Sequence, residues 1–262
     1  MSAYLGRRAF ERLRESLSDR DLAVIGSVHE HRFLTARQIE GLHFIDHGSA
    51  EAGARVCRRV LARLTRDRLL TRLQRRVGGV RAGSASYVYA LGPAGARLLV
   101  DGRRLTEPSP LFLDHTLAIA ETHIELVRAN RNGYLELTNV EVEPACWRRY
   151  TGPGGAAEFA KPDLYVVTAS EAYENCWFLE IDRGTESPAA IGRKCRAYQA
   201  YWRTGREQDQ HGTFPLVVWV TPDEARAKRI EKVISSARNL KRDLFRVTTA
   251  DRLVQLAAGG AA

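Results

Sequence analysis

Carboxylates in positions that suit metal or phosphate chemistry stand at the ends of two short apolar runs. Asp163 precedes the run 164–168, and Glu180 and Asp182 close the run 176–181. Both runs have the length and composition of buried strands. Ligands of open α/β sheets gather outside the carboxyl ends of the strands. Three hard oxygen donors at such an edge suit Mg²⁺ or Mn²⁺, so we expect the three acids to point into one water-accessible pocket.

The alternation of side chains along a strand refines this expectation. With period two, Lys161 and Asp163 share one predicted face, and Glu180 and Asp182 share one predicted face. The alternative is a strand end whose acids are solvated or paired with Arg183. The residues therefore predict either a site that holds a metal or an ordinary set of ion pairs.

The charge of the chain is concentrated in its first part. Residues 1–105 contain 20 Arg, no Lys and 10 Asp or Glu, whereas residues 106–262 contain 20 Lys or Arg and 21 acids. The whole chain carries a net charge of +9, so the excess positive charge belongs to the first part. This distribution predicts a polyanionic partner for that part, and double-stranded DNA fits best.

Capping signals and helical periodicity organise the first part. Ser18 is predicted to cap a helix over residues 19–31, and Thr35 with Gln38 forms a capping box for a second helix. A third helix, about residues 51–69, places apolar residues on one side and arginines on the other. A solvated face in an arginine-rich chain is the alternative explanation, since Arg outnumbers Lys 35 to 5.

A basic hairpin with Gly78 and Gly79 at its turn follows the third helix. Two helices, a recognition-type helix and a basic hairpin predict a winged helix-turn-helix, with the third helix in the major groove and the hairpin on the backbone. The arginines expected to contact DNA lie on the helix and on the hairpin. They are Arg55, Arg58, Arg59, Arg63, Arg66, Arg75, Arg76 and Arg81.

The remaining chain alternates helices and strands after a linker that ends near residue 105. We predict a long helix over 111–130, strands including 214–220, and helices including 188–202. The expected fold class is α/β, or α+β overall, with a winged helix-turn-helix at 1–105 and an α/β sandwich with a central mixed sheet at 106–262. The segment 204–212 is expected to be a loop and the C-terminal tail to be frayed.

Smaller signals complete the prediction. The four cysteines are scattered, which is typical of buried free thiols. The four histidines near the second helix are expected to face solvent or to contact DNA; they are His29, His31, His43 and His47. No apolar run approaches the ~18–20 residues of a membrane span, so we expect a cytoplasmic protein with no membrane partner.

Two resemblances follow from these motifs. The second half resembles the PD-(D/E)XK nuclease superfamily, with its restriction-endonuclease-like fold. Pro162-Asp163 corresponds to the PD motif and Glu180-Ile181-Asp182 to the (D/E)-x-K motif. The superfamily lysine is replaced by Asp182, so the resemblance leaves Lys161 or Lys194 to neutralise charge on the phosphate.

Most of residues 18–205 also resembles the replication-relaxation family of plasmid and mobile-element proteins. The resemblance rests on the predicted winged helix, Asp114-His115, PDLYV, FLEIDRGTES and the K-x-x-x-Y of Lys194 and Tyr198. It implies a role in plasmid replication, DNA relaxation or mobilisation, in a bacterium. Relaxase or replication proteins are the implied partners.

Two functional hypotheses remain open from the sequence. In the first, Asp163, Glu180 and Asp182 hold Mg²⁺ or Mn²⁺ and the second domain nicks DNA, with Lys161 or Lys194 assisting. In the second, the chain is a transcriptional or replication regulator whose nuclease-like domain is inactive and serves dimerisation or partner binding. A scaffold in a relaxase complex is a third option.

Overall fold

The computed structural model describes residues 6–77, 86–99, 108–152, 154–169 and 174–259. The chain divides into two compact units, Met1–Ile124 and Glu125–Ala262. The division falls inside a long helix rather than near residue 105, because the first half of that helix packs on the N-terminal core through Leu113, Leu117 and Ala120. Each unit is described by itself below.

The N-terminal unit combines helices with a small antiparallel sheet of strand order β1-β3-β2. Its elements are α1 (Arg7–Glu15), α2 (Asp19–His31), β1 (Leu34–Thr35), α3 (Ala36–His43), α4 (Ala50–Arg66), β2 (Leu70–Val77), β3 (Ser86–Leu91) and α5 (Pro93–Leu98).

Local hydrogen bonds explain where its helices begin. The Ser18 hydroxyl accepts from the N–H of Asp21, whose carboxylate accepts from the N–H of Ser18, and Thr35 and Gln38 form the same reciprocal box. Both predicted capping sites are confirmed. Gly92 precedes α5 where the backbone of Arg68 approaches closely, and a Cβ there would lie 2.2 Å from the Arg68 carbonyl oxygen.

The core of this unit forms where α2, α3 and α4 meet the sheet. Val24, Ile25, Leu61 and Leu64 are buried completely or almost completely. The same spacing that buries one side of α4 leaves its other side to solvent. The long helix α6 (Pro110–Arg131) then leads from the first unit into the second.

The C-terminal unit contains a five-stranded mixed sheet of order β10-β9-β8-β7-β4 and a separate hairpin, β5–β6. Its elements are β4 (Glu136–Val142), β5 (Arg148–Thr151), β6 (Ala157–Ala160), β7 (Leu164–Ala169), β8 (Glu174–Ile181), α7 (Pro188–Trp202), α8 (Arg206–His211), β9 (Leu216–Thr221), α9 (Glu224–Ser236), β10 (Phe245–Thr249) and α10 (Leu253–Ala257).

Strand direction and helix packing give this unit its α/β character. Strands β8, β9 and β10 run parallel, while β7 pairs antiparallel with both β8 and β4. Phe178, Tyr198, Trp219 and Ile230 belong to one buried cluster, so α7 and α9 pack on the sheet through it. The predicted mixed α/β fold with a central mixed sheet is confirmed.

Two segments differ from the sequence-based expectation. The polar segment expected to be a loop contains α8, where buried Glu207 meets Arg148 and Tyr201. The tail expected to be frayed contains α10, which buries Leu253 and Ala257. Both helices are too short to be stable alone, so tertiary contacts decide them.

Two further observations concern the cysteines and the helices. Cys57, Cys146 and Cys195 are buried free thiols, and Cys176 is a half-buried free thiol, as predicted. Among the residues that the structure describes, no helix has the length and apolarity needed to cross a bilayer.

Candidate functional site

Asp163 lies just before β7, against the carboxyl end of β8. Its Oδ2 accepts a hydrogen bond of 2.7 Å from the N–H of Ile181. Its own N–H donates to the carbonyl oxygen of Leu179 at 3.0 Å. The residue is buried, with 5% of its surface exposed. Asp163 therefore clamps the last residues of β8 through its side chain and its backbone.

Glu180 is the most deeply buried of the predicted acids. It faces α7, and one of its oxygens, Oε2, accepts from Lys194 Nζ at 2.7 Å. The other, Oε1, accepts from the hydroxyl of Tyr198 at 2.5 Å. The two donors are four residues apart on α7, so they stand on one side of that helix. Both carboxylate oxygens are thus satisfied by one helix.

The ammonium of Lys194 bridges two carboxylates. Besides Glu180 it donates to Glu186 Oε1 at 2.6 Å. Burial raises the pKa of Glu180, Lys194 opposes that shift, and the charge of Asp163 adds to it. Burial by itself lowers the pKa of Lys194, but the neighbouring carboxylates, Glu180 first, raise it above its ordinary value. The buried site therefore already contains a positive charge, the ammonium of Lys194, between the carboxylates of Glu180 and Glu186.

Asp182 belongs to a different ion pair. Its two carboxylate oxygens accept from Arg226 Nε at 2.7 Å and Arg226 Nη2 at 2.8 Å. The N–H of Gly184 also donates to Asp182, and Arg226 donates further to the carbonyl oxygen of Glu186. The hydrogen bonds to Asp182 raise the pKa of Arg226. This is the bidentate geometry that binds carboxylates most tightly.

The expectation of one shared, water-accessible pocket is wrong. Asp163, Glu180 and Asp182 are 5%, 1% and 4% exposed, and Glu180 and Asp182 are neutralised by different cations. Within the described residues, no group of three or more His, Cys, Asp or Glu is arranged to hold a metal ion. Carboxylates buried this deeply need the cations that accompany them.

Lys161 does not join these acids. It precedes β7 rather than lying in it, and its side chain is exposed whereas Asp163 is buried. Its ammonium lies 4.4 Å from the ring centroid of Trp147 and 5.4 Å from that of Phe159. The predicted shared face of Lys161 and Asp163 is wrong because the strand begins only at Leu164.

The arginines of α4 occupy the second candidate site. We call Arg55, Arg58, Arg59, Arg63 and Arg66 the arginine face. All but Arg63 are exposed, and Cys57, Leu61 and Leu64 are buried on the other side of the helix. The predicted amphipathic pattern of this helix is confirmed.

Two members of the arginine face already have acidic neighbours. Arg63 donates to Asp21 at 2.5 Å, and Arg66 donates to Asp67 at 3.0 Å. Arg63 therefore helps to hold α4 on α2.

Of the remaining predicted contacts, Arg75 and Arg76 lie in β2, whose last side chains are not described. Arg81 lies outside the described residues.

The histidines of the N-terminal unit depart from prediction at His31. This residue is 1% exposed, and its Nε2 lies 3.0 Å from Nδ1 of His123 on α6. Burial, and to a lesser extent His123, lowers the pKa of His31 to about 3. Burial lowers the pKa of His123 to about 4. His31 is thus a neutral core residue and not a contact for DNA.

Comparison with known families gives one match. The family model described as Replication-relaxation matches residues 25–217, which is more than half of the chain. The chain belongs to the replication-relaxation family. The match to this family spans α4, Asp163, Glu180 and Lys194, but not Arg226. No curated protein and no solved structure matches the chain.

Sequence reasoning missed two participants in the buried network of this family member. Glu186 and Arg226 are not among the site residues predicted from the sequence, although both contact those residues. Arg226 stands 44 residues after Asp182 in a charged helix, so no local spacing joins the two. Tyr198 packs in the core cluster against the sheet, and its hydroxyl also donates to Glu180.

Proposed function

We propose that this replication-relaxation protein binds double-stranded DNA through its N-terminal unit, acting as a winged helix-turn-helix. The observation that carries the proposal is the arginine face of α4, which is exposed at four of its five residues, opposite the buried Cys57, Leu61 and Leu64. In this arrangement α4 enters the major groove and the β2–β3 hairpin lies along the backbone. The cellular role is in replication, relaxation or mobilisation of a plasmid or other mobile element in the bacterial cytoplasm.

Charge distribution supports the same surface. The excess positive charge of the chain lies before residue 106, and Arg55, Arg58 and Arg59 carry exposed guanidinium groups on adjacent turns of α4. Guanidinium groups bind phosphate and guanine edges in bidentate fashion. Arg63 and Arg66 contribute less, because Asp21 and Asp67 already bind them.

Replacing Arg58 and Arg59 by alanine is expected to weaken duplex binding and its salt dependence. Each lost phosphate contact lowers the slope of log K against log salt by about 0.9. Fluorescence anisotropy with a labelled duplex at several salt concentrations measures both quantities. Arg12→Ala with Arg14→Ala is the matched control, since it removes the same charge from exposed positions of α1. Equal losses in the two double variants would contradict the proposed interface.

For the C-terminal unit, the geometry favours the second hypothesis of an inactive nuclease-like domain. The residues do not fit a divalent cation, because Lys194 and Arg226 already neutralise Glu180 and Asp182 in a buried environment. A cation would have to displace an ammonium that two carboxylates bind. The unit is then available for dimerisation or for binding a relaxase or another replication protein.

No metal-dependent nicking of supercoiled plasmid is expected from the full-length protein with Mg²⁺ or Mn²⁺. Gel electrophoresis of the plasmid measures nicking, and calorimetry with Mn²⁺ is expected to show no heat of binding. Asp163→Ala and Glu180→Gln are the comparison variants. Metal-dependent nicking by the wild type that both variants abolish would restore the nuclease hypothesis and overturn this one.

A further inference from the structure

The β5–β6 hairpin of the C-terminal unit has an outward side on which Arg149, Phe159 and Lys161 are exposed. In its register Arg149 pairs with Phe159, and Arg148 pairs with Ala160. Because side chains alternate across a strand, Arg149 and Phe159 share one side of the hairpin. Trp147 and Lys161 flank the two strands with the same parity. We call these four residues, Trp147, Arg149, Phe159 and Lys161, the hairpin face.

The opposite side of the hairpin is committed to the core. Ala160 is fully buried, and the hydroxyl of Tyr150 donates to Glu158 at 2.8 Å. Arg148 donates to Glu207 and Glu141 at 3.1 and 3.0 Å. The polar groups on this side therefore satisfy one another or contact neighbouring elements. On the hairpin face, Trp147 packs partly against the core cluster, whereas Arg149, Phe159 and Lys161 are exposed and packing does not explain their residue types.

The hairpin face presents one exposed aromatic ring, that of Phe159, whereas Trp147 is half-buried and packs against the core cluster of the unit. Phe159 is 42% exposed. Lys161 Nζ lies above the rings of both Trp147 and Phe159, so the cation and the two rings form one continuous group. The indole N–H of Trp147 has no hydrogen-bond acceptor among the described residues.

The charges on this side are all positive. Arg149 and Lys161 are exposed, and neither forms an ion pair within the described part of the chain. Arg206, also exposed, donates to the carbonyl oxygen of Arg149 at 2.8 Å and adds a third cation. Glu158 is the one acid in the two strands, and it belongs to the side of Tyr150. The ring of Phe159 lies between the cations Arg149 and Lys161. This arrangement is complementary to a nucleotide strand, in which each base lies between negatively charged phosphates.

We propose that the hairpin face binds single-stranded DNA, with a base stacked on Phe159 and phosphates bound by Arg149 and Lys161. A single strand is required because a base must leave its own stack before it can lie on an aromatic ring. The site does not depend on the arginine face, which belongs to the other unit. The protein would thus bind duplex DNA through one unit and an unpaired strand through the other, as melted replication or transfer intermediates provide.

The test measures binding of labelled oligo-dT by the full chain, using fluorescence anisotropy. The background carries Arg58→Ala and Arg59→Ala, which removes attraction to the arginine face. Phe159→Ala is expected to weaken binding about tenfold, since base–aromatic stacking contributes energies of that order. Phe159→Trp keeps a stacking surface and is expected to retain the affinity. Arg149→Ala and Lys161→Ala each lower the salt slope by about 0.7.

A matched control separates stacking from nonspecific adhesion. Tyr134 is 69% exposed and lies in the same unit outside the hairpin, so Tyr134→Ala is expected to leave the affinity unchanged. Thermal unfolding confirms that each variant is folded. Unchanged oligo-dT binding by folded Phe159→Ala would overturn the proposal, and so would an equal loss in Tyr134→Ala.

Further arms distinguish the ligand from other nucleic acids and from the duplex-binding proposal. With wild-type α4, Phe159→Ala is expected to leave duplex affinity within twofold of the wild type. An equal loss for duplex and single strand would overturn the assignment to unpaired DNA. Tighter, Phe159-dependent binding of oligo-U would assign the site to RNA instead. If the arginine-face variants do not affect duplex binding, the duplex-binding proposal fails, but the results of the Phe159 variants with oligo-dT keep the same interpretation.

Discussion

Replacing Arg226 by alanine is expected to lower the free energy of unfolding of the C-terminal unit by roughly 3–5 kcal/mol. The reason is the charge that the change leaves behind. Asp182 has a fully buried side chain and receives two hydrogen bonds from Arg226, at 2.7 and 2.8 Å. Without the guanidinium, a carboxylate stays in a dry environment, and among the described residues the N–H of Gly184 is its remaining hydrogen-bond donor.

Urea unfolding followed by circular dichroism measures this effect. Arg229→Ala, which removes an exposed cation from the same helix, is the matched control and is expected to change stability by less than about 0.5 kcal/mol. Adding Asp182→Asn to Arg226→Ala is expected to recover part of the loss, because the uncompensated charge disappears. A loss of under 1 kcal/mol in Arg226→Ala, or no recovery in the double variant, would show that the ion pair does not govern stability.

Acidification is expected to destabilise the N-terminal unit through the His31–His123 pair. Both pKa values are lowered in the folded protein, to about 3 for His31 and about 4 for His123, from an ordinary value of 6.5. The unfolded chain therefore binds more protons below pH 6.5, and stability falls as the pH drops from 6.5 toward 4. At pH 4.5 the contribution of His123 alone is about 2–3 kcal/mol relative to pH 7.

Unfolding of the wild type and of His31→Gln with His123→Gln at pH 7 and pH 4.5 tests this expectation. The double variant loses two groups that take up protons on unfolding, so its stability is expected to fall less with pH. Carboxylates titrate in both proteins and cancel in the comparison. Identical pH dependence in the two proteins would contradict the expected role of the pair, as would ordinary pKa values for these imidazoles by NMR titration.

The ion pairs of the C-terminal unit and the arginines of the N-terminal unit have different roles. Glu180 and Asp182 hold their unit together through cations supplied by α7 and α9. The arginine face instead leaves cations at the surface. The predicted acids of the C-terminal unit are thus buried and neutralised, whereas four of the five residues of the arginine face are exposed. This contrast underlies both the duplex-binding proposal and the expectation that the protein does not nick DNA.

The sequence by itself determined the elements that rest on short-range interactions. Ser18 and Thr35 indicate where their helices begin, because capping hydrogen bonds join residues that are three apart in the sequence. The amphipathic α4 and the long α6 follow from helical periodicity, and the strands around Asp163 and Glu180 follow from apolar runs bounded by polar residues. The family resemblance rests on the same local motifs, and the comparison confirms it.

Only the tertiary structure decided which charges meet. Arg226 reaches Asp182 across 44 residues, and His31 meets His123 across 92. Lys161 turned toward two aromatic rings instead of the neighbouring acid, because Leu164 begins the strand. Local patterns specify faces and ends of elements, but they do not specify which faces are buried against one another. The free energy of a buried charge depends on that choice, so the chemistry of these acids followed from packing rather than from spacing.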